Sequence, residues 1–214
     1  GDFRIRLSSV EPVDVSEEML DVMASSPRIC RHLHIPLQSG DDEILKLMRR
    51  PYNTGEYRDL FLRALERIPG LAVTTDVMVG VPGEEDRHFE NTYNFIASLP
   101  FRDLHVFKYS PRRGTPAAEM PGQVKPGAKD ERSKKLRELA GTHASNFAGG
   151  ALGETLDVLV ERPFRKKTGH WQGITDNYLP VIFPSRGKEG LRGRLLPVKM
   201  IRKAEGDLIE GEML

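Results

Sequence analysis

Segments with a strand pattern alternate with segments with a helix pattern over about the first 110 residues, and this alternation constrains the fold most. The strand pattern occurs four times, at residues 3–8, 32–37, 71–79 and 102–109. Helical periodicity fills the intervals, at residues 15–23, 43–48, 55–68 and 86–99. Strands that alternate with helices form parallel sheets covered by helices. The sequence therefore predicts an α/β fold. In a β/α barrel, the active site lies in the loops that follow the strands.

The chain changes character after Gly149-Gly150. A highly charged helix is predicted before this point, at residues 129–147, and five short strand patterns follow it, at residues 154–161, 171–175, 179–183, 192–200 and 208–213. Five short strands in about 60 residues predict a small antiparallel barrel of the OB type. The predicted organisation is a β/α domain at residues 1–128, a connecting helix at 129–150 and a β-barrel at 151–214.

The composition fits a protein with a packed core, since 38% of the 214 residues are hydrophobic and 29% are charged. No apolar run approaches the roughly 18 residues that a membrane span needs. The single cysteine, Cys30, excludes an intramolecular disulfide, and these features together predict a cytoplasmic protein. Because the chain begins at Gly1 and leads straight into a strand pattern, we expect it to be a piece of a longer protein.

Positive charge is concentrated in the C-terminal part, although the net charge of the whole chain is only +1. Residues 162–203 contain 11 Lys and Arg residues but only two acids, Asp176 and Glu189. In this part of the sequence, the cations Arg165, Lys166 and Lys167 lie near the aromatic residues Trp171 and Tyr178. Cations bind phosphate and aromatic rings stack on bases, so this pattern predicts RNA binding. A solvated barrel with a core tryptophan is the open alternative.

Polar residues follow the first two predicted strands. Glu11 comes after the first strand and can accept hydrogen bonds from a ribose or an ammonium group, or lie solvated in the loop. Gln38 and Ser39 end the second strand and can orient a polar ligand or simply cap the turn. Arg50 follows the next helix, where its guanidinium can clamp a carboxylate or interact with the helix dipole.

The third predicted strand carries Asp76 inside an apolar run. Because a buried carboxylate is costly unless it is paired, we expect Asp76 to be functional or part of a polar network. Val79 ends the strand, and the turn Gly80-Val81-Pro82-Gly83 follows, which can let the backbone approach a flat ligand such as adenine. This turn alone is a weak signal, since most such turns are only turns.

Cys30, His32 and His34 alternate along the second strand and are predicted to share one of its faces. This spacing can chelate zinc, but no fourth ligand is evident. A packed or hydrogen-bonded strand face is the favoured interpretation, and no metal site is predicted.

With these residues in view, the chain resembles the radical S-adenosylmethionine (SAM) methylthiotransferases. These enzymes attach a methylthio group to tRNA adenosine or, in one branch, to a ribosomal protein. The resemblance covers nearly the whole chain and rests on four motifs in order, at residues 6–12, 34–40 with 48–50, 75–84 and 105–117. It implies the C-terminal part of a partial (β/α)6 radical SAM barrel. From about residue 151, the tail resembles the RNA-binding TRAM barrel of the family.

The resemblance also implies a cofactor site. By analogy with radical SAM enzymes, SAM would contact side chains at the strand ends, with its adenine near the glycine-containing turn. The residues concerned are Glu11, Gln38, Ser39, Arg50, Asp76, Val79, Gly80 and Pro82. In the intact enzyme, a [4Fe–4S] cluster would cleave SAM, the adenosyl radical would remove hydrogen from C2 of adenine, and a second cluster would deliver sulfur.

The resemblance points to one substrate branch. Residues 173–178 are similar to the branch that acts on N6-threonylcarbamoyladenosine at tRNA position 37. Arg112 and Arg113 point the same way, because the ribosomal-protein branch usually carries acids there. The isopentenyladenosine branch stays open. The expected partner is the tRNA anticodon stem-loop, and the protein is expected to be a monomer.

The cluster-binding cysteines of the family are absent. A Cys-x-x-x-Cys-x-x-Cys loop and three further cysteines hold its two clusters, and Cys30 cannot replace them. We therefore expect this chain to lack the N-terminal domain and the first two barrel strands of the family, and to be inactive alone. A non-catalytic RNA-binding protein stays open as a different class, as does, less favoured, a phosphate-binding barrel enzyme such as an aldolase.

Overall fold

The computed structural model describes residues 3–185, 187 and 190–214. A parallel sheet of three strands organises the first half of the chain, and a closed barrel of five strands organises the second half. Three charged residues of the basic C-terminal part, Arg186, Lys188 and Glu189, lie outside the described residues.

The sheet consists of β1 (His32–His34), β2 (Ala72–Val79) and β3 (Asp103–Lys108), in the spatial order β1-β2-β3. Both pairings are parallel, as the alternation of strands and helices predicts. The register places Thr74 beside His34 and Asp76 beside His105. Polar residues of neighbouring strands are therefore in direct contact.

Six α-helices lie within the described residues: α1 (Glu17–Ser25), α2 (Asp42–Leu47), α3 (Thr54–Arg67), α4 (Asp86–Ala97), α5 (Pro116–Glu119) and α6 (Pro126–Gly150). A short 3-10 helix, Pro12–Asp14, precedes α1. The side chain of Asp41 accepts from the N–H of Ile44 and caps α2. Asn53 caps α3, because Asn53 and Glu56 form a reciprocal capping box.

The sheet has one apolar face and one polar face. Leu33, Val73 and Val77 are fully buried in the core that the sheet shares with its helices. His34, Asp76 and His105 occupy alternating positions in the same three strands, so they point to the opposite face. This polar face carries the candidate site.

The predicted first strand, residues 3–8, is not a regular strand. It makes only isolated parallel bridges, one that pairs Ile5 with Ile29 and one that pairs Ser9 with His34. Between these two bridges, the segment that leads into β1 has one residue more than the segment at 3–8. A three-residue turn, in which the N–H of His32 donates to the carbonyl of Cys30 at 2.8 Å, takes up the extra residue. The ladder therefore breaks, and three of the four predicted strands form.

The barrel consists of β4 (Thr155–Pro163), β5 (His170–Thr175), β6 (Pro180–Pro184), β7 (Leu195–Lys203) and β8 (Ile209–Met213), closed in the order β4-β5-β6-β8-β7. Four pairings are antiparallel, but β6 and β8 are parallel, which corrects the prediction of an antiparallel barrel. The reason is that β7 returns to pair with β4, which leaves β8 between β6 and β7. The barrel has its own apolar core.

The barrel packs against the sheet through charged and polar contacts. Arg102, at the start of β3, donates to the carbonyl of Tyr178 at 3.0 Å and pairs with Asp207. The amide of Asn177 donates to the carbonyl of Gly70 at 3.1 Å. These contacts place the barrel beside the polar face of the sheet. No helix among the described residues is long and apolar enough to cross a membrane.

Candidate functional site

A cleft of about 420 Å³ lies on the polar face of the sheet, lined by residues of all three strands and by Leu7, Ser8, Ser9 and Tyr178. Thr74 stands at its floor. The hydroxyl of Thr74 is 3.0 Å from Nε2 of His32 and 2.9 Å from Nδ1 of His34. His32 and His34 therefore share one face of β1, as the sequence predicts.

Asp76 faces two imidazoles in this cleft. Its Oδ1 lies 3.2 Å from Nε2 of His34 and 3.2 Å from Nδ1 of His105. The two rings stack with their centroids 5.3 Å apart. Asp76 is thus paired within a polar network, as the cost of burying a carboxylate predicts. His105 was not among the residues that the sequence singled out, because only the strand register reveals it as a neighbour of Asp76.

His32 is the most deeply buried member of this polar face. Burial, reinforced by the charge of Arg6, lowers the pKa of His32 from 6.5 to about 3. Its Nδ1 is buried with no hydrogen-bond partner among the described residues. The ring also contacts that of Tyr178, with centroids 4.2 Å apart. His32 therefore serves as a neutral packing residue between the sheet and the barrel.

Arg50 and Glu11 meet near the end of the sheet, although 39 positions separate them in the numbering. Nη1 of Arg50 lies 3.6 Å from Oε1 of Glu11. Nε of Arg50 is buried and has no hydrogen-bond partner within the described part of the chain. A buried guanidinium N–H without a partner is costly, so this atom is suited to an acceptor on a bound molecule.

Gln38 lies where the chain leaves the sheet. Its N–H donates to the carbonyl of Asp76 at 2.8 Å, and its carbonyl accepts from the N–H of Met78 at 2.9 Å. Its φ of 67° is in the left-handed region, which is uncommon for a residue other than glycine. A strained backbone of this kind persists only where the surroundings enforce it, and here the two bonds to β2 do so.

Ser39 is directed into the protein. It is 1% exposed, and its hydroxyl lies 3.0 Å from that of Thr92 and accepts from the N–H of Asp41 at 3.2 Å. These bonds fit the alternative in which Ser39 stabilises the turn before α2. The structure brings Glu11 to Arg50 and Asp76 to two histidines, whereas the hydroxyl of Ser39 is bonded to its own loop and to Thr92 of α4.

The turn after β2 is held by side chains of α6. Val79 is fully buried, Gly80 has a φ of 76°, and its N–H donates to the carboxylate of Glu84. Lys129 covers Gly80 and donates to the carbonyl of Tyr109 at 2.9 Å. The conformation of the turn therefore depends on side chains that lie outside the turn, and the sequence of the turn itself does not indicate them.

Glu84 and Arg132 form a buried ion pair behind this turn, 2.8 Å apart. Burial raises the pKa of the Glu84 carboxyl. A second carboxylate, Asp86, lies 2.8 Å from the same guanidinium. Pro82 is buried in the turn. Sequence reasoning missed Lys129 and Arg132, because they lie in a charged helix whose exposed and buried cations look alike.

The predicted RNA-binding residues occupy separate places. Arg112 and Arg113 are exposed in the loop after β3. Arg165, Lys166 and Lys167 lie in the exposed turn between β4 and β5, where Lys166 pairs with Glu205 at 3.2 Å and Lys167 pairs with Glu210 at 2.7 Å. Trp171 packs against the barrel core, which agrees with the alternative of a barrel with a core tryptophan.

Tyr178 lies beyond the opposite end of β5 from the basic turn. Its ring lies 3.8 Å below the guanidinium of Arg6 and contacts His32. Its φ is 68°, in the left-handed region. Tyr178 is therefore grouped with the sheet rather than with Arg165, Lys166 and Lys167.

Comparison with known proteins identifies the relatives of this chain. Residues 1–96 match the radical SAM superfamily. Over 204 residues the chain is 41% identical to the threonylcarbamoyladenosine tRNA methylthiotransferase MtaB of Bacillus subtilis, which covers 94% of this chain and 45% of that protein. By sequence, this chain is similar to the radical SAM methylthiotransferases over nearly its whole length. It is also 38% identical over 211 residues to the tRNA-2-methylthio-N(6)-dimethylallyladenosine synthase of Moorella thermoacetica, covering 99% of this chain and 47% of that protein.

The chain spans a little under half the length of the relatives it matches. Among solved structures, the coproporphyrinogen III oxidase HemN of Escherichia coli, a radical SAM enzyme, is similar with a TM-score of 0.55. The similarity covers 81% of this chain and 46% of that one, at 14% sequence identity. At this identity, the comparison concerns the fold alone.

The two cofactors of radical SAM methylthiotransferases differ in how they fit these residues. The unpartnered Nε of Arg50 beside Glu11 suits an amino-acid carboxylate and ammonium, the charged groups of the methionine end of SAM apart from its sulfonium. An iron–sulfur cluster does not fit, because the whole sequence has one cysteine and Cys30 is buried at 3% exposure. Burial also raises the pKa of the Cys30 thiol, which disfavours the thiolate that iron requires.

Proposed function

We propose that this chain provides one wall of the SAM pocket and the RNA-binding barrel of a tRNA methylthiotransferase. The observation that carries the proposal is the buried Nε of Arg50, which has no partner among the described residues and lies beside Glu11 at the end of a parallel sheet. Residues 1–128 act as the barrel part, residues 129–150 connect, and residues 151–214 act as a TRAM-like domain. This protein would act in the cytoplasm as a monomer.

In this proposal, Arg50 binds the carboxylate of SAM and Glu11 binds its ammonium group or ribose. Gln38 and Asp76 contact polar groups of the cofactor, and Ser39 supports the loop that carries Gln38. The adenine lies against the turn that contains Val79, Gly80 and Pro82. SAM supplies an adenosyl radical when it is reductively cleaved, and this chain contributes binding and orientation. Since its one cysteine cannot hold a [4Fe–4S] cluster, neither cluster of the intact enzyme is assigned to this chain.

Titration of the purified chain with SAM tests the pocket. Arg50→Ala is expected to weaken binding by about 10- to 100-fold, as for a lost hydrogen bond to a charged group. Arg49→Ala is the matched control, since Arg49 is the exposed neighbour of Arg50. Equal affinities for the two variants, or no binding of SAM by the wild-type chain, would contradict the pocket.

The RNA part of the proposal rests on the basic turn of the barrel and on the loop after β3. Arg165, Lys166 and Lys167 would contact the phosphates of a tRNA anticodon stem-loop, with Trp171 supporting the turn. Arg112 and Arg113 would contact the RNA from the β/α side, and Tyr178 would contact it at the junction with the barrel. The barrel strand order, with its one parallel pairing, supports the comparison with OB-type RNA-binding barrels.

Alanine at all three positions of the basic turn should weaken binding of the anticodon stem-loop and reduce its salt dependence. Each lost phosphate contact lowers the slope of log K against log salt by about 0.7 to 0.9. Replacing Lys134, Lys135 and Arg137 by alanine is the control, because these are exposed cations of α6. Unchanged affinity and slope in the basic-turn variant would reject this surface.

The proposed substrate is N6-threonylcarbamoyladenosine 37, which would receive a methylthio group at C2. The 41% identity to a relative named for that nucleoside supports this choice. The relatives at 36–38% that are named for dimethylallyladenosine favour N6-isopentenyladenosine as the second candidate, and a ribosomal protein is the third. Mass spectrometry of tRNA nucleosides from a cell without the gene should show loss of the methylthio group from threonylcarbamoyladenosine. Loss from isopentenyladenosine would select the second candidate, and intact tRNA nucleosides would favour the ribosomal protein or a non-catalytic role.

A further inference from the structure

We propose that His34, Asp76 and His105 bind one divalent first-row transition-metal ion, such as Zn²⁺, on the polar face of the sheet. One ligand atom from each of these side chains lies within 4.8 Å of the others. The three residues come from three adjacent strands, so their backbones are fixed by the sheet. The inference uses only these residues and does not depend on the proposed function.

The separations fit a shared ion. Oδ1 of Asp76 is 3.2 Å from Nε2 of His34 and 3.2 Å from Nδ1 of His105. Zinc binds histidine nitrogen and carboxylate oxygen at about 2.0–2.2 Å, and two such ligands around one ion lie roughly 3.0–3.5 Å apart. An ion can therefore enter with small side-chain movements.

Thr74 orients His34 toward the ion. The hydroxyl of Thr74 lies 2.9 Å from Nδ1 of His34 and 3.0 Å from Nε2 of His32, and it has one proton to donate. When that proton goes to His32, Nδ1 of His34 donates to the hydroxyl, and Nε2 of His34 presents its lone pair to an ion beside Asp76. A hydrogen bond from the second ring nitrogen is also the usual support of a metal-binding histidine.

The donor set selects the class of metal. Two imidazoles and one carboxylate favour Zn²⁺, Fe²⁺, Co²⁺ or Ni²⁺ over Mg²⁺ and Ca²⁺, which prefer oxygen ligands. The side chain of His105 is 56% exposed and that of Asp76 is 27% exposed, and the site opens into the cleft of about 420 Å³. Further coordination positions would thus face solvent, which is typical of a site that exchanges water for a ligand.

This site differs from the zinc site that the alternation of Cys30, His32 and His34 in the sequence suggests. Nε2 of His32 is occupied by Thr74, and Cys30 lies beyond the three-residue turn before β1. The ligands that complete the set with His34 come from β2 and β3, and only the strand register brings them there.

Calorimetric titration of the chelator-treated chain with Zn²⁺, and with Co²⁺ followed by its visible absorption, tests the proposal. We expect one ion per chain, and at least a tenfold loss of affinity in His105→Gln and in Asp76→Asn. His105→Gln is the decisive variant, because its exposed side chain can be changed without disturbing the core, and circular dichroism checks its fold.

Two variants serve as matched controls. His170→Gln removes a partly exposed imidazole of the barrel, and Asp103→Asn removes a carboxylate that lines the same cleft. Both should bind Zn²⁺ as the wild-type chain does. Failure of the wild-type chain to bind an ion would overturn the proposal. Equal losses in His105→Gln and His170→Gln would also overturn it, because binding would then be unspecific.

Discussion

The guanidinium of Arg31, next to β1, donates two hydrogen bonds to the carboxylate of Asp176, after β5, at 2.7 Å from Nε and 3.1 Å from Nη2. This paired geometry is the strongest form of an arginine–carboxylate contact. Burial opposes ionisation of Asp176, but the hydrogen bond and charge of Arg31 outweigh it and lower the pKa of that carboxyl. The pair therefore fixes the barrel against the sheet in one orientation.

Asp176→Ala should lower the free energy of unfolding by about 2 to 3 kcal/mol, because it removes both bonds and leaves a partly buried guanidinium without its carboxylate. Asp157→Ala is the control, since Asp157 pairs with Arg4 at 3.5 Å but is 60% exposed. That substitution should cost less than about 1 kcal/mol. Equilibrium unfolding in urea measures both, and equal losses would show that the Arg31–Asp176 pair does not stabilise the interface.

Stability should fall as the pH drops below about 6.5 because of His32. Above that pH neither state binds the proton, whereas between 6.5 and about 3 only the unfolded chain does. The slope from this residue is at most about 1.4 kcal/mol per pH unit. His32→Gln should flatten the dependence of the free energy of unfolding on pH between pH 6 and 4. The carboxyl of Asp176 contributes to this dependence only at lower pH. His170→Gln is the control. An unchanged slope in His32→Gln would show that His32 is not the group responsible.

Gly80→Ala should destabilise the chain more than Gly114→Ala does. Both glycines have a positive φ, 76° and 81°, so both substitutions strain the backbone by about 1 kcal/mol. A Cβ at Gly80 would also meet the side chain of Lys129, with Cδ at 2.8 Å, whereas one at Gly114 meets nothing within 4 Å. We expect an additional loss of about 1 to 2 kcal/mol at Gly80. Thermal unfolding of the two variants measures the difference, and equal midpoints would contradict the role given to Lys129.

Arg132→Met should cost about 3 kcal/mol, because Glu84 would remain as a buried carboxylate without its cation. Lys135→Met, on the exposed side of the same helix, should cost less than about 1 kcal/mol although Lys135 pairs with Glu131 at 2.9 Å. Adding Glu84→Gln to Arg132→Met should recover part of the loss, since no charge is then buried. Urea unfolding that ranks the two single variants equally would reject this account of the turn after β2.

The local pattern predicts most helices and strands correctly, because capping and periodicity act over a few residues. Asp41 caps α2 at the start of a predicted helix, and β2 and β3 form where the apolar runs are. The segment at residues 3–8 has a good strand pattern and still fails to form a regular strand. The segment beside it contains a three-residue turn at Cys30–His32, which interrupts the pairing. The pattern of residues 3–8 carries no information about a turn in another segment.

The sequence by itself determined the parallel sheet followed by a barrel, the candidate residues at the strand ends and the relation to the methylthiotransferases. Only the tertiary structure decided which of these residues meet. Asp76 joins His34 and His105 through the register of three strands, and Arg31 joins Asp176 across 145 positions. Contacts of this kind depend on how distant segments are aligned in space, whereas periodicity and capping depend on neighbours in the chain.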